Sequence, residues 1–270
     1  TRPLSRGVGP VSDLPPGPPA KLSSAVEQWI KDRSVTALVV LKNGQLVHES
    51  YYLGTGPADR RISWSVAKSL LASLFGILNA EGAFGSLDDP VVTYAPSLKG
   101  SAYDGATIRD VLTMSSGVAF NEDYLDFNSD INKMGRVLAL GGSMDGFAAG
   151  LKTRDAEPGA RFHYVSIDTH VLGMVIRGAT GKDIPELLET RILAPMGMEA
   201  APYYLTDGEG VSFVLGGLNV TTRDYARFGQ MFLQGGAWQG RQIVPRDWID
   251  AAQRSPIWAL INEYKVALPL

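Results

Sequence analysis

Residues 65–81 constrain the fold more than any other stretch of this chain. Ser65-Val66-Ala67-Lys68 leads into Ser69-Leu70-Leu71-Ala72-Ser73-Leu74-Phe75-Gly76-Ile77-Leu78, a run that is mostly apolar all round. A helix of that composition is buried, so other elements have to surround it. Its start also carries chemistry. Positions three apart share a helix face, which brings the Lys68 amine to the Ser65 hydroxyl through local geometry alone. A serine hydroxyl becomes a good nucleophile when a neighbouring base takes its proton, and a desolvated, neutral lysine is such a base. A helix opening at Ser65 would also aim free backbone N–H groups at the oxygen that turns negative during acyl transfer. Ser-x-x-Lys is a short pattern that chance also produces, so the rest of the chain has to carry the assignment.

Composition excludes several other classes. The 270 residues suffice for one large domain or two interleaved ones, with ample core. A net charge of −3, without a dense lysine or arginine cluster, offers no footprint for nucleic acid or an anionic membrane. The longest apolar runs, such as Ala37–Leu41, fall far short of a membrane span. Cysteine is absent, which excludes disulfides and thiolate metal sites and leaves the compartment open between cytoplasm and periplasm. His48, His163 and His170 are too scattered to form a metal cluster, and Asp88-Asp89-Pro90 reads as a helix start. Neither metal nor organic cofactor is expected. The first residue is Thr1, consistent with removal of a leader or tag.

Along the chain, residues 1–20 hold five of the 16 prolines between Pro10 and Pro19 and predict an extended arm on the surface. Leu22–Lys31 has helical spacing, capped by Ser23 or Ser24. Ala37–Lys42 and Gln45–Leu53 are strand-like and flank Asn43-Gly44, the preferred pair for a tight hairpin turn. Helices are expected over 65–81, Asp88–Tyr94 and Ile108–Met114. Residues 118–160, rich in Asp, Asn and Gly, read as an irregular loop region over a site. Ile167–Ala179 and Ile184–Ile192 are again helical, and Leu193–Met198 is a hydrophobic turn. Thr221–Gln234 is amphipathic, capped by Thr221 or Thr222, with Tyr225, Phe228, Met231 and Phe232 as its buried stripe. The fold class is α+β: an antiparallel sheet flanked by helices, with a largely helical second region. The expected division is the arm at 1–20, an α/β region at 21–61 and 201–270, and a mainly helical region at 62–200. A two-stranded hairpin is not stable alone, so further strands are required.

Four ordered segments then agree. Ser65–Lys68, the run Thr107–Gly117, Pro158–Ser166 around Tyr164, and Gly216–Gly229 together resemble the serine β-lactamase/penicillin-binding-protein superfamily. The class C-like branch that includes esterases and 6-aminohexanoate-dimer hydrolases fits best, because of the acidic loop Asn121–Asp126 and the Tyr164-x-Ser166 variant. The resemblance runs from about residue 22 to about residue 250, and it implies the β-lactamase/transpeptidase-like fold of a soluble, bacterial-type protein.

The resemblance also implies roles. Ser65 would be the acylated nucleophile, Lys68 its proton acceptor, and Tyr164 the relay that protonates the leaving group and then helps activate water. Tyr124, Ser166 and Trp64 are the substrate-binding candidates, although a tryptophan before a buried helix is more often core. His163 is expected to be structural, pointing away from its neighbour Tyr164. No Gly-x-Ser-x-Gly elbow occurs, which ranks a Ser-His-Asp triad low. Penicillin-processing members usually carry Tyr-x-Asn where this chain has Ser166, so a small ester or linear amide is the expected substrate class. A β-lactamase or D-alanyl-D-alanine carboxypeptidase is the alternative. The family's Lys/His-Thr/Ser-Gly triplet, which helps build the oxyanion site, has no counterpart after Tyr164, and Ile257–Leu270 resembles no family segment. A catalytically weak binding protein therefore remains a second alternative, and open sheet edges would favour pairing into a homodimer.

Overall fold

The computed structural model describes residues 1–254. Strand β1 (Arg2–Pro3) is followed by helix α1 (Ser24–Asp32), strands β2 (Ala37–Lys42), β3 (Gln45–Tyr51) and β4 (Arg60–Ile62), and helix α2 (Val66–Ala80). Helices α3 (Ile108–Leu112), α4 (Asp130–Ala139), α5 (Met144–Gly150), α6 (Ser166–Thr180), α7 (Ile184–Leu188) and α8 (Ala194–Met196) come next. Strands β5 (Tyr203–Tyr204) and β6 (Leu218–Thr221), helix α9 (Thr222–Leu233), strands β7 (Ala237–Trp238) and β8 (Arg241–Gln242), and helix α10 (Arg246–Arg254) complete the described chain. It is a mixed α+β molecule with small antiparallel sheets.

Helix α2 lies at the centre because its composition leaves it no polar face. Ala67, Leu70, Leu71, Leu74, Phe75 and Leu78 are all buried. Each large side chain removed from water there contributes about 1.5–3 kcal/mol. Phe75 stacks on Phe84 with centroids 4.3 Å apart, and Trp248 of α10 closes the stack from the far side of Phe75. Trp248 also donates its indole N–H to the Ala72 carbonyl at 3.0 Å, so its polar edge is satisfied. Val171, Val175 and Ile176 of α6 belong to the same core. Gly178 on α6 admits the chain at its closest approach, since a Cβ there would fall 1.7 Å from the Tyr94 carbonyl oxygen. Gly178→Ala is expected to destabilise the protein by about 3 kcal/mol, read as a lowered urea midpoint at unchanged slope.

The hairpin forms as its sequence predicts. Asn43 and Gly44 both take positive φ (54° and 77°), and Lys42 pairs with Gln45 across the turn. Strand β3 ends at Tyr51, short of the expected Leu53. The expectation of one sheet holding this hairpin needs correction for the described residues. Strands β1, β5, β6 and β4 form a separate four-stranded antiparallel sheet in that order. The hairpin is steadied instead by α9, where Arg223 grips Glu49 of β3 through two bonds of 2.7 and 2.8 Å. The N-terminal arm runs along β3 on another side. Gly17 and Ala20 donate to the Leu46 and Val47 carbonyls, while the intervening prolines have no N–H to give. Further upstream Leu4 is buried and β1 pairs with β5.

Three local expectations fail for identifiable reasons. Residues 118–160 are not irregular throughout, because Ser129 and Ser143 cap α4 and α5 by accepting from the Asn132 and Gly146 N–H groups. Ile131, Met134, Met144 and Ala148 then bury the inner faces of those helices. The helix expected over Asp88–Tyr94 is a single 3-10 turn, Val91–Thr93. Val91 N–H is drawn to the Ala106 carbonyl and Asp89 is occupied by the Tyr94 hydroxyl, so a longer helix cannot propagate. The hydrophobic turn at Leu193–Met198 is instead helical through Met196. A π-turn over Glu189–Leu193 precedes Pro195 and takes up the disruption a proline causes inside a helix.

Candidate active site

The site is assembled on the first turn of α2. Trp64 carries the unusual φ of +40°, a left-handed conformation costly for a bulky residue, and it turns the chain abruptly from β4 into Ser65. The turn is tight. The N–H groups of Val66, Ala67 and Lys68 donate to the carbonyls of Ser63, Trp64 and Ser65, so these first-turn donors are already used. Among the described residues the Ser65 N–H itself has no acceptor, which makes this single amide, rather than the helix terminus at large, the donor beside the hydroxyl.

Two side chains converge on the Ser65 hydroxyl. Lys68 Nζ lies 3.0 Å from Ser65 Oγ, as the three-residue spacing predicts. The Tyr164 hydroxyl donates to the same oxygen, also at 3.0 Å, although 99 residues separate the two in sequence. Lys68 also donates to the Leu215 carbonyl at 3.0 Å, in the segment just ahead of β6, and its Nζ sits 5.5 Å from the Tyr164 ring centroid. Among the described ion pairs Lys68 has no carboxylate partner, so it is held by a carbonyl, a hydroxyl and an aromatic face.

Tyr164 stands on the short link ahead of α6. His163 N–H donates to the Met114 carbonyl at 2.8 Å and Val165 N–H reaches the Met114 sulfur at 3.4 Å. Met114 takes φ +53° as it leaves α3, so the tight turn after that helix presents both acceptors. The His163 imidazole lies 3.9 Å from Asp155, away from Ser65 Oγ and its two partners.

The substrate-binding candidates fall in different places. Trp64 is 65% exposed and stands beside Ser65, so it is surface rather than core. Tyr124 is equally exposed and donates its hydroxyl to Glu122 at 3.3 Å. Burial and the neighbouring Glu122 carboxylate both raise the Tyr124 phenol above its usual range. Ser166 differs from both, being buried and hydrogen-bonded through its N–H and hydroxyl to Glu122. It faces the acidic loop and has no bond to Ser65, Lys68 or Tyr164 among the described contacts.

Several neighbours were not singled out from sequence. Glu122 lies within the acidic loop, but nothing local indicates which of its carboxylates turns inward. Leu215 acts through its carbonyl and Met114 through its carbonyl and sulfur, which no side-chain pattern reveals. Asp168, in the first turn of α6, is completely buried and accepts from the Tyr103 hydroxyl at 2.6 Å and the Ser116 hydroxyl at 2.9 Å. Burial pushes its carboxyl up to about 8 despite those two bonds. No group of three or more histidines and carboxylates with metal-holding geometry occurs among the described residues. No described helix is long and apolar enough to cross a membrane. Residues 255–270, which include the Ile257–Leu270 tail, lie outside the described residues.

Comparison with known proteins adds an independent line. The family model described as Beta-lactamase matches residues 23–262. The chain belongs to the beta-lactamase family. Over 231 residues it is 33% identical to the 6-aminohexanoate-dimer hydrolase of Paenarthrobacter ureafaciens, an alignment covering 84% of this chain and 59% of that protein. The chain thus spans about three fifths of the length of the curated relative it matches. A solved structure from Bacillus anthracis, assigned to the 6-aminohexanoate-dimer hydrolases, superposes with a TM-score of 0.78 at 27% identity, covering 90% of this chain and 68% of its own. A D-stereospecific amidohydrolase from Streptomyces sp. shares the fold with a TM-score of 0.59 at 22% identity, over 77% of this chain and 68% of that one. The α+β architecture described above is therefore the β-lactamase/transpeptidase-like fold expected from the ordered motifs.

Proposed function

We propose that the protein is a serine hydrolase that cleaves small carboxylic esters and linear amides through an acyl-enzyme on Ser65. The observation that carries this reading is the convergence of Lys68 Nζ and the Tyr164 hydroxyl on Ser65 Oγ, each at 3.0 Å. In the proposed cycle neutral Lys68 takes the Ser65 proton as Oγ attacks the substrate carbonyl carbon. The carbonyl oxygen becomes an oxyanion and receives the free Ser65 N–H. Collapse breaks the bond to the alkoxide or amine, which leaves with a proton from Tyr164, and Tyr164 recovers one from the Lys68 ammonium. Water then loses a proton to the same pair and attacks the acyl carbon, releasing the acid and restoring Ser65.

The preference for esters and linear amides rests on Ser166. It offers no side-chain amide to grip a β-lactam substituent, and its hydroxyl is occupied by Glu122. The similarity to the Paenarthrobacter hydrolase supports amide cleavage within the same reading. A panel of p-nitrophenyl butyrate, 6-aminohexanoate dimer and nitrocefin separates the possibilities. We expect measurable turnover of the ester, weaker turnover of the dimer, and little or none of nitrocefin. Efficient nitrocefin hydrolysis would overturn the substrate preference in favour of a β-lactamase. Absence of all three activities, with ester turnover no faster than that of Ser65→Ala, would leave a binding protein on this fold.

A further inference from the structure

We propose that Glu122 is a positioning residue that holds the Tyr164 hydroxyl on Ser65 by anchoring the start of α6. This inference rests on the reading of Tyr164 as the proton relay. Helix α6 begins at Ser166 with Val165 at its N-cap, and Val165 has no side chain able to cap. The first N–H groups of a helix need acceptors from elsewhere, and a carboxylate is the most favourable one against the positive end of the helix dipole. Glu122 supplies it from 44 residues away. Its Oε1 accepts the Ser166 N–H at 2.6 Å, and its Oε2 accepts the Ser166 hydroxyl at 3.2 Å. The same Oε2 accepts the Tyr124 hydroxyl at 3.3 Å, so one carboxylate ties the acidic loop to the helix.

Tyr164 is partly exposed, so packing is not the whole of what holds it. Its side chain is 38% exposed, and its hydroxyl must stay within 3.0 Å of Ser65 Oγ. The backbone around it is bonded at His163 and Val165 to Met114 and, one residue further on, at Ser166 to Glu122. Loss of Glu122 leaves only the weaker Val165 N–H contact to the Met114 sulfur on the α6 side of the tyrosine, and a misplacement of about 1 Å in a reacting group can cost about 10²-fold in rate. Both bonds to Ser166 need the full length of the Glu122 side chain, so reach is expected to matter more at position 122 than negative charge.

Charge and reach can be varied separately in the full-length protein with p-nitrophenyl butyrate as substrate. Glu122→Gln loses the charge and the acceptor of the Tyr124 hydroxyl, but keeps an oxygen for the Ser166 N–H and an NH2 that can donate to the Ser166 hydroxyl oxygen. It should hold kcat within about threefold of the parent. Glu122→Asp keeps the charge but shortens the arm by one methylene, and Glu122→Ala removes both. These two should lose about 10- to 100-fold in kcat with KM within about threefold. In a Tyr164→Phe background the further loss from Glu122→Asp should shrink to less than threefold, because the group it positions is gone. The proposal is overturned if Glu122→Gln is as slow as Glu122→Asp, if the loss falls on KM, or if it persists undiminished beside Tyr164→Phe. Should Glu122→Ala fail to fold, the comparison of Gln with Asp decides. Failure of the underlying reading looks different: Tyr164→Phe by itself would then turn over as fast as the parent.

Discussion

Lys68→Ala should lower turnover of p-nitrophenyl esters by on the order of 10²-fold or more, and Ser65→Ala should do at least as much. In the proposed cycle both groups act on one proton, so the Ser65→Ala/Lys68→Ala pair is expected to be no slower than Ser65→Ala alone. Lys68 holds its position through Ser65 Oγ, the Leu215 carbonyl and the Tyr164 ring, and alanine removes the only amine at the hydroxyl among the described contacts. Tyr164→Phe keeps the ring and deletes the hydroxyl that lies 3.0 Å from Ser65 Oγ, so its loss should also be on the order of 10²-fold. A fluorophosphonate probe followed by peptide mass spectrometry should label Ser65 in the parent and fail to label Ser65→Ala. Labelling at another serine in an active preparation would refute the assignment.

A second large effect concerns stability and involves no step of the reaction. Asp168 is fully buried, and burial pushes its carboxyl up to about 8, far above the usual aspartate range. The folded protein therefore holds the proton while the unfolded chain releases it near pH 4. The sign follows directly. The contribution of Asp168 is fully present below about pH 4, declines by about 1.4 kcal/mol per pH unit as the unfolded form ionises, and levels off above about pH 8. Asp168→Asn keeps an oxygen for the Tyr103 and Ser116 hydroxyls and places its NH2 where Asp168 Oδ2 has no partner among the described residues. Urea unfolding at pH 5, 6, 7 and 8 should show the variant gaining on the parent at each step, by several kcal/mol in all. A difference independent of pH would show that Asp168 does not carry the proton. Because Glu122 also raises the Asp168 carboxyl, Glu122→Gln should flatten the parent's decline.

The parts of this protein that were legible in advance are those decided within one turn or one hairpin. Ser65 and Lys68 meet because a helix places positions three apart on one face, whatever surrounds it. Ser23 and Thr221 cap α1 and α9 by accepting from N–H groups three residues on, and Asn43-Gly44 turns the hairpin through its own positive φ angles. Other local readings misled because competing contacts were invisible in the sequence. The glycines and asparagines of 118–160 suggested a loop, yet the serine caps and a few buried methionines and isoleucines sufficed for α4 and α5. Proline at 195 suggested a turn, and the π-turn ahead of it keeps the helix going.

Sequence order alone, through four motifs in series, was enough to determine the family and with it the α+β class. The resemblance named Tyr164 beside Ser65 and Lys68, but no local signal gave the contacts that bring them together or indicated Glu122 and Leu215. Tyr164 meets Ser65 where the link before α6, bonded to Met114 and Glu122, passes the start of α2, and Leu215 meets Lys68 where the segment ahead of β6 returns beside β4. Those contacts join positions tens to more than a hundred residues apart. No periodicity, cap or turn signal spans such distances, since each is set by backbone geometry over a few residues, whereas the closure of the site depends on how the buried core packs as a whole.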